Sequence, residues 1–351
     1  MEDNLLPESD LQEELYEHFR FTVDPGQSLL RIDKFLTGKI QNVSRNKIQN
    51  AARAGNIRVN DKPVKPNYRV KPGDVISILL PGPPRETENL PENIPLDIVF
   101  EDNDVLVVNK PAGMVVHPAY ANYTGTLVNA LLYHFLGKTA ADGEEVRPWL
   151  VHRIDKDTSG LLVVARNELA QAVLARQFFE HSIQRNYTAL VWGDLPDDTG
   201  TISGYISRSP RDRRVMTVWQ DPEKGRHSVT HFKVIERLGY TTLVDCQLET
   251  GRTHQIRAHF ASIGYPLFGD TAYGGREIVK GPVFNKYRQF VENCFALVPG
   301  QALHARTLGF IHPSTGQPVF FEAPLPGYFE ELIEKWRRYI AGRNIEEQEA
   351  R

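Results

Sequence analysis

Apolar and polar positions alternate along the chain in two patterns, one typical of helices and one typical of strands. Helical spacing of apolar residues predicts helices over residues 29–40, 126–135, 168–179 and 328–338. A further helix is predicted from Ser44, a good N-cap residue, to just before Gly55, a good C′ residue. Short runs rich in Val, Ile and Leu predict strands at 75–80, 96–100, 105–108, 184–193 and near 301–305 and 312–313, with a hairpin at 57–64.

The stretch 149–166 consists of two apolar segments that enclose a polar turn, which predicts strand, turn, strand. His152, Arg153 and Asp155 stand there among residues otherwise typical of a core, where an unpaired charge is costly. An Asp before Thr-Ser-Gly is ordinarily a turn former, and Asp155 could simply pair with Arg153. A catalytic role for Asp155 therefore requires partners elsewhere in the chain.

Residues 248–260 pass from a strand through Thr250 and Gly251 into a basic helix, whose N-terminus suits an anion. The two histidines of this helix, His254 and His259, are five residues apart, and two zinc ligands on one helical face are four apart. We therefore expect no metal site. The sequence also contains neither a phosphate-binding loop nor a dinucleotide fingerprint, so we expect no cofactor.

The length and composition indicate a two-domain protein of a reducing compartment. The chain has 351 residues, enough for two domains, and only two cysteines, Cys246 and Cys294, which do not make a disulfide framework. No apolar run has the length of a membrane span, and the acidic N-terminal residues do not resemble a signal peptide. We expect a cytoplasmic protein that does not bind membranes.

The net charge of −3 conceals a strongly basic segment. Residues 28–80 contain eleven Lys or Arg against three Asp and no Glu. Within it, Ile-Asp-Lys-Phe-Leu at 32–36 and Gly-Asn-Ile-Arg-Val-Asn at 55–60 resemble the S4 RNA-binding domain. The resemblance implies that RNA phosphates are bound by Lys34, Arg45, Arg53 and Arg58. The alternative is an ordinary solvated charged face, but a near absence of acids favours a polyanionic ligand.

These observations predict five segments. They are an acidic disordered tail (1–20), an S4 domain (21–81), a Pro-rich linker (82–95), a catalytic domain (96–340) and a second acidic tail (341–351).

Four motifs of the predicted catalytic domain resemble those of the RluA-type pseudouridine synthases: His-Arg-Ile-Asp-x-Asp-Thr-Ser-Gly at 152–160, Arg-Asn-Tyr-x-Ala-Leu-Val at 185–191, Thr-Gly-Arg-Thr-His-Gln-Ile-Arg-x-His at 250–259 and Leu-His-Ala at 303–305. The resemblance implies an α+β fold with a mixed, mainly antiparallel central sheet and flanking helices, preceded by the small S4 domain. It also implies a monomer that isomerises uridine to pseudouridine in RNA without metal or cofactor. The implied substrate is 23S ribosomal RNA or its large-subunit precursor, with transfer RNA as an alternative.

The resemblance further implies roles for individual residues. Asp155 would be the nucleophile and would attack either the uracil ring or the ribose. Arg257 would face it, because a fixed positive charge favours the ionised carboxylate that a nucleophile needs. Tyr187 would stack beside the uracil. Arg153, next to His152, would occupy the space left by the flipped nucleotide, while Arg252 and His254 would bind RNA.

Two other functions stay open on the sequence alone. The chain could be an RNA-binding protein without catalytic activity. Alternatively, Asp-Lys-Asp-Thr at 155–158 matches the Asp-x-Asp-x-Thr of aspartyl phosphotransferases, which require magnesium, although no acidic pair suited to magnesium follows it.

Overall fold

The computed structural model describes residues 15–40, 44–81, 90–118, 122–139, 145–212 and 214–349. The chain divides into two compact units, residues 1–88 and 89–351. Among the described residues, no helix is both long enough and apolar enough to cross a membrane. The first fourteen residues of the predicted N-terminal tail and residues 82–89 of the predicted linker lie outside the described residues.

The first unit is a four-stranded sheet with two helices. Its elements are β1 (Leu15–Thr22), α1 (Ile32–Lys39), α2 (Arg45–Arg53), β2 (Ile57–Val59), β3 (Lys62–Pro63) and β4 (Val75–Pro81), with strand order β1-β4-β2-β3. Apolar side chains such as Leu36 and Ile57 join the helices and the sheet in one core. As predicted, the Ser44 hydroxyl caps α2, accepting a hydrogen bond from the backbone N of Lys47.

The second unit is built on a sheet of eleven strands. Its strands are β5 (Ile98–Glu101), β6 (Val105–Lys110), β7 (Trp149–Leu150), β8 (Ser159–Ala165), β9 (Gln184–Trp192), β10 (Thr199–Arg208), β11 (Met216–Trp219), β12 (Arg226–Arg237), β13 (Thr241–Leu248), β14 (Leu303–Ile311) and β15 (Pro318–Glu322). Its helices are α3 (Leu127–Phe135), α4 (Glu168–Phe179), α5 (Gln255–Ser262), α6 (Asn285–Leu297) and α7 (Gly327–Glu349). The strand order is β11-β10-β12-β13-β9-β14-β8-β6-β5, with β7 beside β8 and β15 beside β14.

Helices cover both faces of this sheet. Successive residues of β6 point to opposite faces: Leu106 packs in a cluster with residues of α3, and Val107 packs in another with residues of α4. A third cluster, centred on Trp192 and Trp336, joins the sheet to α6 and α7. Because both faces are covered, the strands of the sheet centre consist largely of apolar residues.

Strand β14 joins two halves of the sheet. It pairs antiparallel with β9 on one side and parallel with β8 on the other, at His304 and Ala305. The approach to β8 is close because Gly160, at φ +112°, has no side chain: a Cβ at this position would overlap the backbone of Ala305. The fold is the predicted α+β class, with a mixed and mainly antiparallel sheet.

Two of the predicted segment boundaries are wrong. Residues 15–20, predicted as part of a disordered tail, belong to β1, which pairs with β4 from Leu15 to Thr22. The strand was missed because the prediction relied on the acidic side chains, whereas the strand is held by backbone hydrogen bonds, which do not depend on side-chain type. Residues 341–349, predicted as an acidic tail, continue α7, because Glu, Arg, Gln and Ala are strong helix formers.

Candidate active site

Asp155 lies in the turn that leads into β8. The backbone N of Thr158 donates to the Asp155 carbonyl (3.2 Å), and the backbone N of Gly113 donates to the carbonyl of Lys156 (2.9 Å). The buried Lys110 ammonium lies beneath the turn and donates to the carbonyl oxygens of Pro111, Met114 and Lys156 at 2.8, 2.9 and 3.0 Å. These bonds fix the backbone on both sides of the Asp155 side chain.

Arg257, on α5, joins Asp155 to a second carboxylate. Its Nη1 donates to Asp155 Oδ2 at 2.8 Å, and its Nε and Nη2 donate to the two oxygens of Asp270 at 2.7 and 3.0 Å. Burial alone would lower the pKa of Arg257, but the hydrogen bonds and charges of Asp270 and Asp155 raise it above its ordinary value. The guanidinium is therefore a permanent positive charge held in one orientation from two sides.

Asp270 is fully buried and is itself held by the backbone. Its Oδ1 also accepts hydrogen bonds from the backbone N atoms of Ala272 (3.0 Å) and Tyr273 (3.3 Å). The ring of Tyr273 packs under the Arg257 guanidinium, 5.1 Å from its centre. The sequence Gly-Asp-Thr-Ala-Tyr at 269–273 thus forms a rigid support for Arg257.

Asp155 keeps one oxygen available. Its side chain is 19% exposed, and in the described part of the chain no donor lies within hydrogen-bond distance of Oδ1. His254 is the next nearest basic group, with its Nε2 3.9 Å from Asp155 Oδ2 and its Nδ1 3.2 Å from the hydroxyl of Tyr273. Burial lowers the pKa of His254, so its imidazole is neutral near pH 7. Among the described residues, Asp155 thus has one carboxylate oxygen held by Arg257 and one without a hydrogen-bond donor.

Tyr187 is a further buried residue close to Asp155. It lies on β9, is only 7% exposed, and packs in the same cluster as Leu303 and Ile256. Burial raises the pKa of its hydroxyl, and the charge of Asp155 raises it further. The phenol is therefore protonated at neutral pH and presents an apolar ring.

A cavity of about 410 Å³ opens above these residues. Of the residues predicted from the sequence, it is lined by His152, Arg153, Asp155, Tyr187, Arg252, His254 and Arg257. Arg153 is exposed at this cavity, whereas His152 is held inside: its Nε2 accepts from the backbone N of Val163 (3.0 Å) and its ring stacks on Phe178. Burial and the charge of Arg185 lower the pKa of His152 to about 3, which makes it a neutral wall residue.

The predicted RNA-binding residues of the first unit have differing surroundings. Lys34 is exposed on α1. Arg45 binds buried Asp33 at 3.0 Å, Arg53 donates to Asn50 (2.8 Å), and the Nε of Arg58 is buried with no partner among the described residues.

Asp33 has three donors. Burial alone would raise its pKa, but the hydrogen bonds of Gln49, Arg31 and Arg45 lower it to about 2. Arg45 therefore has a structural partner inside its own unit.

The sequence analysis assigned no role to Asp270, Lys110 or Arg185, although all three contact or line the site. Asp270 lies in a Gly-rich segment where an acid resembles an ordinary turn residue. Lys110 is fully buried, and only its position at the end of an apolar strand could have indicated this. Arg185 was part of a quoted motif, but its burial depends on contacts distant in the sequence.

One cluster among the described residues has the spacing of metal ligands. Ligand atoms of Asp102, Asp104 and His312 lie within 4.8 Å of one another. Each already has partners: Asp102 bonds His312 (2.8 Å) and backbone N atoms, and Asp104 accepts from Ser314 (2.6 Å) and Asn167 (3.0 Å). These bonds join the β5–β6 turn to the segment after β14.

Comparison with known proteins gives matches along most of the chain. The family model for RNA pseudouridylate synthase matches residues 104–262, and that for the S4 domain matches residues 30–76. An uncharacterised RNA pseudouridine synthase of Chlorobaculum parvum is 48% identical over 89% of this chain and 95% of its own length. The ribosomal large subunit pseudouridine synthase D of Zymomonas mobilis is 44% identical over 84% of this chain and 90% of its own length.

A solved structure, human RNA pseudouridylate synthase domain containing 1, also has a similar fold. It is 27% identical, covers 70% of this chain and 96% of its own, and superposes with a TM-score of 0.51.

Proposed function

This chain belongs to the RNA pseudouridylate synthase family, and from that premise we propose that it isomerises specific uridines of large-subunit ribosomal RNA with Asp155 as the nucleophile. The observation that supports this best is the 2.8 Å contact between Asp155 and Arg257, at a cavity that Tyr187 also lines. The two charged residues are 102 positions apart in the chain. A structural turn former needs no such partner.

The reaction follows from the groups at the site. An oxygen of Asp155 adds either to C6 of the uracil or to C1′ of the ribose, and the bond to Asp155 later breaks again. In both routes the N1–C1′ bond breaks, a C5–C1′ bond forms, the hydrogen on C5 leaves as a proton, and N1 takes up a proton. Substrate and product are isomers, so the balance requires no oxidant, reductant or second substrate.

Arg257 and Tyr187 prepare Asp155 and the base for this step. The guanidinium holds Asp155 Oδ2 and so directs Oδ1 into the cavity, without any reorganisation at the moment of reaction. The Tyr187 ring offers an apolar surface beside the base, where stacking is worth about 1–3 kcal/mol. Extruding a nucleotide costs a few kcal/mol. Arg153, which is exposed at the same cavity, would fill the vacated space.

The substrate class is inferred from the relatives and from the first unit. Proteins of Zymomonas mobilis and Neisseria meningitidis, 44% and 40% identical to this chain, bear the name ribosomal large subunit pseudouridine synthase D. The basic S4 unit supplies sequence-independent phosphate contacts through residues such as Lys34 and Arg53. Both observations favour a large ribosomal RNA as the target.

The test compares two neighbouring carboxylates. Asp155→Asn is expected to bind a 23S ribosomal RNA transcript with nearly unchanged affinity and to produce no pseudouridine, measured by tritium release from RNA labelled at C5 of uridine. Asp157→Asn, in the same turn, is the matched control and is expected to remain active. Pseudouridine formation by Asp155→Asn would contradict the nucleophile assignment.

The same experiment separates the other functions. A phosphotransferase would lose activity with either Asp variant and in a metal chelator, whereas we expect the isomerase to keep its activity in the chelator. A protein that only binds RNA would release no tritium even as the wild type.

A further inference from the structure

Arg185 is a buried guanidinium without a carboxylate partner. We propose that it binds a backbone phosphate of the target nucleotide, an inference that rests on the proposed function of the site. The residue is 8% exposed, its buried Nε has no hydrogen-bond partner, and no ion pair involves it among the described residues. Arg257, which lines the same cavity, forms ion pairs with two carboxylates of the protein. The protein thus supplies counter-ions for Arg257 and not for Arg185.

The protein holds Arg185 by packing alone. Its guanidinium lies 5.3 Å from the ring centre of Phe178, whose ring also stacks with His152 at 4.4 Å. On another side it faces Gly251, where a Cβ would come within 3.0 Å of Nη1. A glycine and an aromatic ring therefore make a slot for a planar cation, and its polar edge is left for a ligand.

The charge of Arg185 is not neutralised locally. It adds to burial in lowering the pKa of His152 and of His181, and it opposes the burial that raises the pKa of Tyr187. Burying a charge without a partner costs several kcal/mol. Binding of an anion next to Arg185 would remove this free-energy cost.

The position of Arg185 identifies this anion as a phosphodiester. Arg185 lines both the catalytic cavity and a second cavity of about 530 Å³, and His181 and Arg252 line both as well. The carboxylate at the second cavity, Glu249, is bonded to His231 at 2.6 Å and not to Arg185 or Arg252. The two shared arginines thus mark an exit from the site of the base, where the strand on either side of a flipped nucleotide would pass.

Arg185→Met tests the proposal because Met keeps most of the side-chain volume and can still contact Phe178. A structural role for Arg185 predicts a lower urea midpoint for the variant, whereas the proposal predicts an equal or higher midpoint, since an unpaired buried charge is removed. The proposal also predicts a kcat/KM about tenfold to a hundredfold lower on 23S transcript. Arg288→Met, an exposed arginine on α6, is the charge-matched control.

The phosphate itself is tested with methylphosphonate substitution. A synthetic stem-loop around a uridine that the wild type modifies is prepared with an uncharged methylphosphonate on the 5′ or the 3′ side of that uridine. One of the two is expected to lower wild-type kcat/KM about tenfold or more and to change that of Arg185→Met less than twofold. If each methylphosphonate lowers kcat/KM by the same factor in Arg185→Met as in the wild type, Arg185 contacts neither phosphate and the proposal is wrong.

A second measurement does not require turnover. The slope of log affinity against log salt, measured with the same stem-loop, is expected to be smaller by about 0.7 to 0.9 for Arg185→Met, the contribution of one phosphate contact. Arg288→Met is expected to leave the slope unchanged. If the wild type binds the 23S transcript without forming pseudouridine in it, the proposed function fails, while an unchanged slope for Arg185→Met rejects the phosphate contact by itself.

Discussion

Replacing Asp270 by asparagine tests whether the orientation of Arg257 matters for catalysis. The carboxylate accepts from Arg257 at 2.7 and 3.0 Å and from two backbone N atoms, so both of its oxygens face donors. In the Asp270→Asn variant one of these acceptors becomes an amide NH₂, which opposes an N–H of the guanidinium or of the backbone. Asp270 is fully buried, and breaking a buried ion pair costs about 3–5 kcal/mol of folding free energy.

The expected effect on activity follows from geometry. Without the second carboxylate, the 2.8 Å bond to Asp155 is the only ion pair that the guanidinium keeps, and a displacement of about 1 Å at a reacting group costs about a hundredfold in rate. Because Asp270 does not line the cavity, RNA affinity is expected to stay near that of the wild type. The loss of activity in Asp270→Asn is therefore expected in kcat and not in RNA binding.

The assay combines urea unfolding with single-turnover tritium release and RNA binding at one temperature. Asp245→Asn is the control, because Asp245 is a half-buried carboxylate that accepts from Asn186 (2.9 Å) in the sheet and has no contact with Arg257. A kcat within twofold of the wild type, in an Asp270→Asn protein that is folded and less stable, would refute the positioning argument.

Two further predictions concern the supports of the site. Lys110→Met removes the donor of the Pro111 and Met114 carbonyl oxygens, while the Lys156 carbonyl keeps the backbone N of Gly113. The variant is expected to lower the free energy of unfolding by about 2–6 kcal/mol in urea titrations; a loss below about 1 kcal/mol would contradict this. Burial lowers the pKa of His304 to about 4, whereas an unfolded chain has a His pKa of about 6.5. Between these values the unfolded state binds the proton and the native state does not, so stability falls with decreasing pH by up to about 1.4 kcal/mol per pH unit. His304→Gln should flatten this dependence between pH 7 and 5, and equal slopes would refute it.

Local features were predicted well where a side chain acts on its own segment. The helix predicted over residues 168–179 is α4 with the same bounds, because its apolar period and Asn167 cap are encoded locally. The cap at Ser44 likewise depends on Lys47, three residues away. Strands β10 to β12 and helix α6 were not predicted, and of β13 only the end at residue 248 was, because their patterns mix exposed and buried positions irregularly.

The residues of the site could be predicted from the resemblance of their motifs to a known family, but not from their spacing in the sequence. Motif resemblance placed Asp155, Tyr187 and Arg257 together, and the structure brings them to one cavity. Residue spacing alone could not have done so, since β9 and α5 reach the Asp155 turn only through the sheet. Asp270 was missed for the same reason: its partner is a guanidinium, and the sequence does not show which acid receives it.

The place of β14 at the centre of the sheet affects how the enzyme is made. While the ribosome has synthesised only the first 302 residues, β8 and β9 each lack the neighbour that later joins them. The turn with Asp155 belongs to one side of this seam, and the strand with Tyr187 belongs to the other. We therefore expect a nascent chain to lack activity until β14 is translated, and a product truncated before β14 to expose two unpaired strand edges to aggregation and proteolysis.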